Sequence, residues 1–124
     1  MDGTPSLFSR IGGTEAIFAV VRDFYDRIMA DASLRGFFSH MEMNAQIDKQ
    51  VAFLVFAFGG PSRYTGKDLR VAHSKLVAEG LSDVHFDAVA GHLDAALRGL
   101  GVADILRTEV MNIVGTTRKD VLGR

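Results

Sequence analysis

The sequence predicts an all-α fold, and three observations predict it. Apolar residues recur at three- and four-residue spacing through most of the chain. Glycines punctuate these runs, while the only prolines are Pro5 and Pro61. No convincing period-2 alternation marks a strand, apart from short ambiguous runs such as VAFLVFAF at residues 51–58.

Thr14, just after Gly12-Gly13, is the expected N-cap of the first long helix. Its apolar positions are Ile17, Val20, Val21, Phe24, Tyr25 and Ile28. A turn through Asp31-Ala32-Ser33 leads to Leu34, Phe37 and Phe38. Asn44 is the expected cap of the next helix, which carries Ile47, Val51, Leu54 and Phe58 and stops at Gly59-Gly60-Pro61. Pro61–Lys67 reads as a loop, followed by a short helix around Leu69–Ala78. Ser82 or Asp83 caps a helix through Phe86, Val89, Leu93 and Leu97 that ends near Gly99. The last helix runs from about Ala103 through Ile105, Leu106, Val110, Ile113 and Val114. Residues 1–124 are expected to form a single domain, with residues 1–6 a flexible or short helical lead-in.

Composition narrows the function classes. With 48% hydrophobic and 23% charged residues, the 124-residue chain has a globular composition. Fourteen Lys and Arg against fifteen Asp and Glu give a net charge of −1, without long blocks of either sign. Neither nucleic acid nor an anionic membrane surface is an expected partner. The apolar run at residues 51–58 is far short of the ~20 residues that span a bilayer. MDGTPSLFSR lacks the basic and apolar regions of a signal peptide, so a cytoplasmic location is expected. The absence of cysteine excludes disulfides, thiolate metal sites, a cysteine nucleophile and C-x-x-C-H haem attachment.

Three places break the apolar pattern. Tyr25 follows Val21 and Phe18 on an inward face, where a core tyrosine would bond a carbonyl or water. Gln46 and Gln50 are four apart, on the face continued by Phe53 and Leu54. They either turn to solvent at a helix boundary or form a polar lid over a small ligand. Burying such an amide unpaired costs about 1–3 kcal/mol. His73 shares a face with Leu69, Leu76 and Val77. It is either a satisfied core histidine or a metal ligand. It has no His or carboxylate four residues away, which suits a metal that brings four ligands of its own, as haem iron does. His40, His85 and His92 are weaker candidates, with His85 placed either to cap its helix or to lie at the surface. No HExxH, H-x-x-x-H, P-loop or G-x-S-x-G motif occurs.

Taken together, the motifs resemble the group I truncated haemoglobins. The resemblance rests on IGG at Ile11–Gly13, FYDRIMAD at Phe24–Asp31, FF at Phe37-Phe38 and KQVAF at Lys49–Phe53. It continues through AFGGPSRYTG at Ala57–Gly66, VAHSKLV at Val71–Val77, DVHFDAVAGHL at Asp83–Leu93 and the IVG of the last helix. The motifs run in family order from about Leu7 to Leu122.

The resemblance implies a two-over-two helical sandwich around haem. It makes His73 the proximal iron ligand, Tyr25 the distal tyrosine, Phe38 a residue packed on the haem face, and Gln46 and Gln50 the two distal amides. Phe24, Phe53, Leu54, Leu69, Leu76 and Phe86 are the expected further cofactor contacts, with Leu69 offering its carbonyl to the His73 ring. Lys49 is expected either to reach a haem propionate or, as in some relatives, to act as a sixth iron ligand. The second role needs its neutral amine and would weaken on acidification. Some relatives attach haem covalently through a histidine of the last helix; VGTTRKDVLGR has none, so non-covalent haem b (iron protoporphyrin IX) is expected. The implied activity is reversible binding of dioxygen, with nitric oxide and carbon monoxide as further ligands. Nitric oxide dioxygenation to nitrate would need an unidentified reductase, because 124 residues leave no room for a flavin or nicotinamide domain. The alternatives are a Lys49- or Tyr25-ligated redox or gas-sensing haem protein, and a helical interaction module without cofactor.

Overall fold

The computed structural model describes residues 5–61 and 66–124, and its secondary structure there is helical throughout. Helix α1 spans Leu7–Ile11 and is capped by Ser6, whose hydroxyl accepts the Ser9 N–H at 3.1 Å. Gly12, with φ +125°, ends α1 and is the N-cap of α2, Gly13–Met29. A Cβ at Gly12 would stand 2.9 Å from the Ala16 Cβ. Thr14 therefore lies inside the first turn rather than at the cap: the α1–α2 turn is so tight that the helix starts immediately after the glycine.

Asp31 orders the next turn by accepting both the Ser33 N–H at 2.9 Å and its hydroxyl at 2.7 Å. The short α3 follows at Arg35–Phe38. Helix α4 spans Met43–Ala57, and its cap is Glu42 rather than Asn44. The Glu42 carboxylate accepts the N–H groups of Asn44 at 3.2 Å and Ala45 at 2.7 Å, satisfying two donors with a charged acceptor.

Of the loop expected at residues 61–67, positions 62–65 lie outside the described residues, as do 1–4 of the expected lead-in. Helix α5 already begins at Gly66 and runs to Ala78. In α6, Asp83–Gly99, His85 Nδ1 accepts the Ser82 N–H at 3.0 Å, the capping role its position predicted. Helix α7 covers Asp104–Thr116, and a short α8, absent from the sequence reading, covers Arg118–Val121.

Helix α2 organises the packing. It lies against both α4 and α6, while α6 pairs with α7. The α2/α4 pair thus packs through α2 on the α6/α7 pair, a sandwich of two helix pairs. Ile17, Ile28, Leu34, Leu54 and Leu97 are almost fully buried, each contributing about 1.5–3 kcal/mol of transfer free energy. Chain entropy of similar total size opposes them. Gly60 allows the α4 end to meet α1: a Cβ there would sit 2.8 Å from the Phe8 ring and from Val55. The core cluster holds residues of α1, α2, α4, α6 and α7. Leu69, Leu76, Phe86 and Leu122 are buried outside that cluster. Helix α5 packs chiefly against α8.

Candidate functional site

One cavity of about 460 Å³ lies between the α2/α4/α6 core and the α5/α8 side. Phe24, Tyr25, Phe38, Gln46, Lys49, Gln50, Phe53, Leu54, Leu69, His73 and Leu76 all line it. Phe86, expected as a wall, does not. It is buried elsewhere, with the Arg118 guanidinium 4.4 Å above its ring. The lining also includes residues that sequence reasoning did not select, among them Met41, Glu42, Ala72, Lys75, Leu93, Val114, Thr117 and Val121. Apolar periodicity could have pointed to Leu93 and Val114. Nothing local in the sequence marks Thr117 or Val121, which reach the cavity only because α8 folds back along α5.

The polar groups come from three helices, α2, α4 and α5. On α5, His73 Nδ1 lies 2.8 Å from the Leu69 carbonyl oxygen, one turn back. That bond assigns the proton to Nδ1 and leaves Nε2 as the ring's lone-pair donor. Burial holds the imidazolium form of His73 below its ordinary range, outweighing the opposing bond to Leu69. The residue is thus kept as a neutral ligand-type imidazole.

On α2, Tyr25 is 6% exposed and its ring is fixed by two aromatic neighbours. Phe24 lies at 5.1 Å and 56°, and Phe38 at 5.8 Å and 68°, both favourable tilted arrangements. Gln46 and Gln50 are half-buried on α4, next to Tyr25 in the lining. Gln46 Nε2 donates to Met41 Sδ at 2.6 Å. Both glutamines are among the residues that line the cavity. Lys49 and Lys75, both exposed, stand at its margin. Among the described residues, no group of three or more His, Asp and Glu could hold a bare metal ion.

The cavity thus gathers a histidine, a tyrosine and two amides within mainly apolar walls. The family described as bacterial-like globin matches residues 6–122. A group 1 truncated haemoglobin of Chlamydomonas moewusii is 44% identical over 117 residues, covering 94% of this chain and 68% of that protein. The chain belongs to the group I truncated haemoglobins.

Solved structures agree with this truncated haemoglobin in fold. A Synechococcus 2/2 haemoglobin with covalently attached haem superposes with a TM-score of 0.91 at 41% identity, over 97% of this chain and 100% of that one. The ferric truncated haemoglobin of Tetrahymena pyriformis gives 0.87 at 36% identity, with the same coverage. Membership implies haem and a diatomic gas ligand, and the cavity fits both. Its volume falls in the ~300–1,000 Å³ range of cofactor sites. Its walls are mainly apolar, as a porphyrin requires, and His73 offers one unprotonated nitrogen. Among the described residues, no helix is long and apolar enough to cross a membrane.

Proposed function

We propose that this truncated haemoglobin holds haem b non-covalently on His73 and binds dioxygen reversibly beneath Tyr25, Gln46 and Gln50. The observation that carries the reading is the shared cavity, which brings a histidine with its Nδ1 engaged by a carbonyl together with three hydrogen-bonding side chains. Haem supplies the gas-binding iron and its redox chemistry. The protein's part is orientation, water exclusion and hydrogen bonding. The Leu69 carbonyl fixes the ring plane of His73. Phe24 and Phe38 hold the Tyr25 ring, so that its hydroxyl is presented without rotamer searching. Gln46 and Gln50 add amide donors from one helix face. Phe53, Leu54, Leu69 and Leu76 exclude water, which strengthens each polar contact made inside.

Non-covalent attachment is supported by α7 and α8, neither of which contains a histidine. The Synechococcus relative, by contrast, carries covalently attached haem. Nitric oxide dioxygenation belongs to the same proposal: bound haem would supply the iron chemistry that converts dioxygen and nitric oxide to nitrate, and turnover would need an external one-electron reductase. A second reading has one observation in its favour, since Lys49 stands in the cavity lining beside Gln50. There its amine would occupy the sixth position, making the protein a redox or gas-sensing haem protein. A ferric spectrum that stays high-spin from about pH 6 to about pH 10 excludes that ligation. Extraction with acidified butanone tests attachment: haem b passes fully into the organic layer, whereas haem retained with the protein refutes non-covalent binding.

A further inference from the structure

Helix α5 carries His73, yet it contributes little to the core. Leu69 and Leu76 are its buried hydrophobic side chains among the described residues, and both lie outside the main cluster. Val71 is 68% exposed. Its strongest tertiary attachment is to α8, itself only four residues long. A chain of ion pairs reinforces that weak apolar contact. Arg70, one turn before His73, donates from Nε to Asp120 Oδ1 at 2.9 Å and from Nη2 to the Arg124 carbonyl at 2.7 Å. Arg124 in turn grips Asp83 in a bidentate pair, at 3.0 Å and 2.7 Å. Arg118 joins Asp83 at 3.0 Å and also bonds Asp87, one turn along α6. Its guanidinium lies over Phe86.

We propose that this chain, from Asp83 through Arg124 to Arg70, is a clasp that positions α5 and so sets how firmly His73 holds the haem iron. It rests on the reading of His73 as the iron ligand. Arg70, Arg124 and Asp83 are positioning residues, since none of them lines the cavity. Three features make the chain more than scattered surface pairs. Arg70 bridges two acceptors, a fork that lysine cannot reproduce. The Arg124–Asp83 pair is bidentate, the geometry in which a surface pair is worth most. The links also run from α5 to Asp120 and Arg124 and from there to Asp83, all distant in sequence, so losing one loosens α5 from the α8 end rather than a single turn. Arg70 and Asp120 are 41% and 34% exposed, so the clasp answers to ionic strength.

The test compares the haem-loaded wild type with Arg70→Met, Arg70→Lys and Arg124→Gln. Arg124 is exposed and outside the buried core, so its substitution guards against a misfolded Arg70 variant. Haem loss to excess apomyoglobin is expected to speed up roughly 3- to 10-fold in Arg70→Met and Arg124→Gln, with Arg70→Lys intermediate. The iron–histidine stretching band in the resonance Raman spectrum of the ferrous protein should shift in the same order, a signature that a general loss of stability does not move. Raising salt from about 0.02 M to about 1 M should speed loss from wild type and leave Arg70→Met unchanged. Unaltered haem loss and an unaltered Raman band in all three variants overturn the clasp while leaving His73 as ligand. A His73→Ala protein that keeps haem as firmly as wild type overturns the ligand assignment, and the clasp with it.

Discussion

Tyr25→Phe removes one hydroxyl and keeps the ring. The ring keeps its packing against Phe24 and Phe38, so the cavity shape is conserved. The hydroxyl acts in a site where the residue is 6% exposed, and no bulk water replaces the bond that is lost. A hydrogen bond to an acceptor bearing partial negative charge is worth about 1.5–3 kcal/mol. Gln46 and Gln50 line the same wall and recover part of that, leaving a net loss of about 1–2 kcal/mol. At 1.4 kcal/mol per tenfold, dioxygen release should quicken roughly 5- to 30-fold. Stopped-flow replacement of dioxygen by excess carbon monoxide measures it directly. A companion Gln50→Leu variant and the double substitution close a cycle, whose coupling term reports whether the two donors share one acceptor. Release rates within about twofold of wild type in the single and double variants would refute the distal assignment.

Other expectations concern the scaffold. Gly60→Ala places a Cβ 2.8 Å from the Phe8 ring and Val55, so overpacking should cost about 1–3 kcal/mol and lower the thermal midpoint; an unchanged melt would contradict the close approach. The Asp31 carboxyl is held down to about 2, first by its bond to His92 at 2.7 Å and then by Ser33. A carboxyl depressed in the folded state adds stability that is full above its ordinary range and lost as pH falls toward about 2. In His92→Gln its carboxyl resonance should titrate nearer the ordinary carboxylate value, which carbon-13 NMR reads; no movement would mean the tether between the α2–α3 turn and α6 is not formed.

Long helices were legible because their apolar residues repeat over several turns, and α2 and α6 emerge where periodicity places them. Cap positions were less so. Asn44 has the commoner capping side chain, yet the Glu42 carboxylate reaches two amides and takes the role. Helix α8 escaped notice because RKDV has no apolar repeat; its place is set by contact with α5 and by ion pairs to distant residues. At the site, His73, Tyr25, Gln46 and Gln50 could be singled out because each is a polar interruption of an apolar face. Phe86 shows the converse. Periodicity marks it as buried but cannot say which side of the sandwich it serves, and an arginine from α8 claims it. Thr117 and Val121 enter the cavity through tertiary folding alone.

The central claim is that His73 binds haem iron across the cavity from Tyr25, Gln46 and Gln50. Absorption spectra of the ferric, ferrous and oxygen-exposed protein, taken for wild type and His73→Ala with and without added imidazole, test it most directly. The account predicts a wild-type Soret band with a reversible oxygen-dependent change, an altered band and faster haem loss in His73→Ala, and recovery of both with imidazole. An identical set of spectra from wild type and His73→Ala would contradict it.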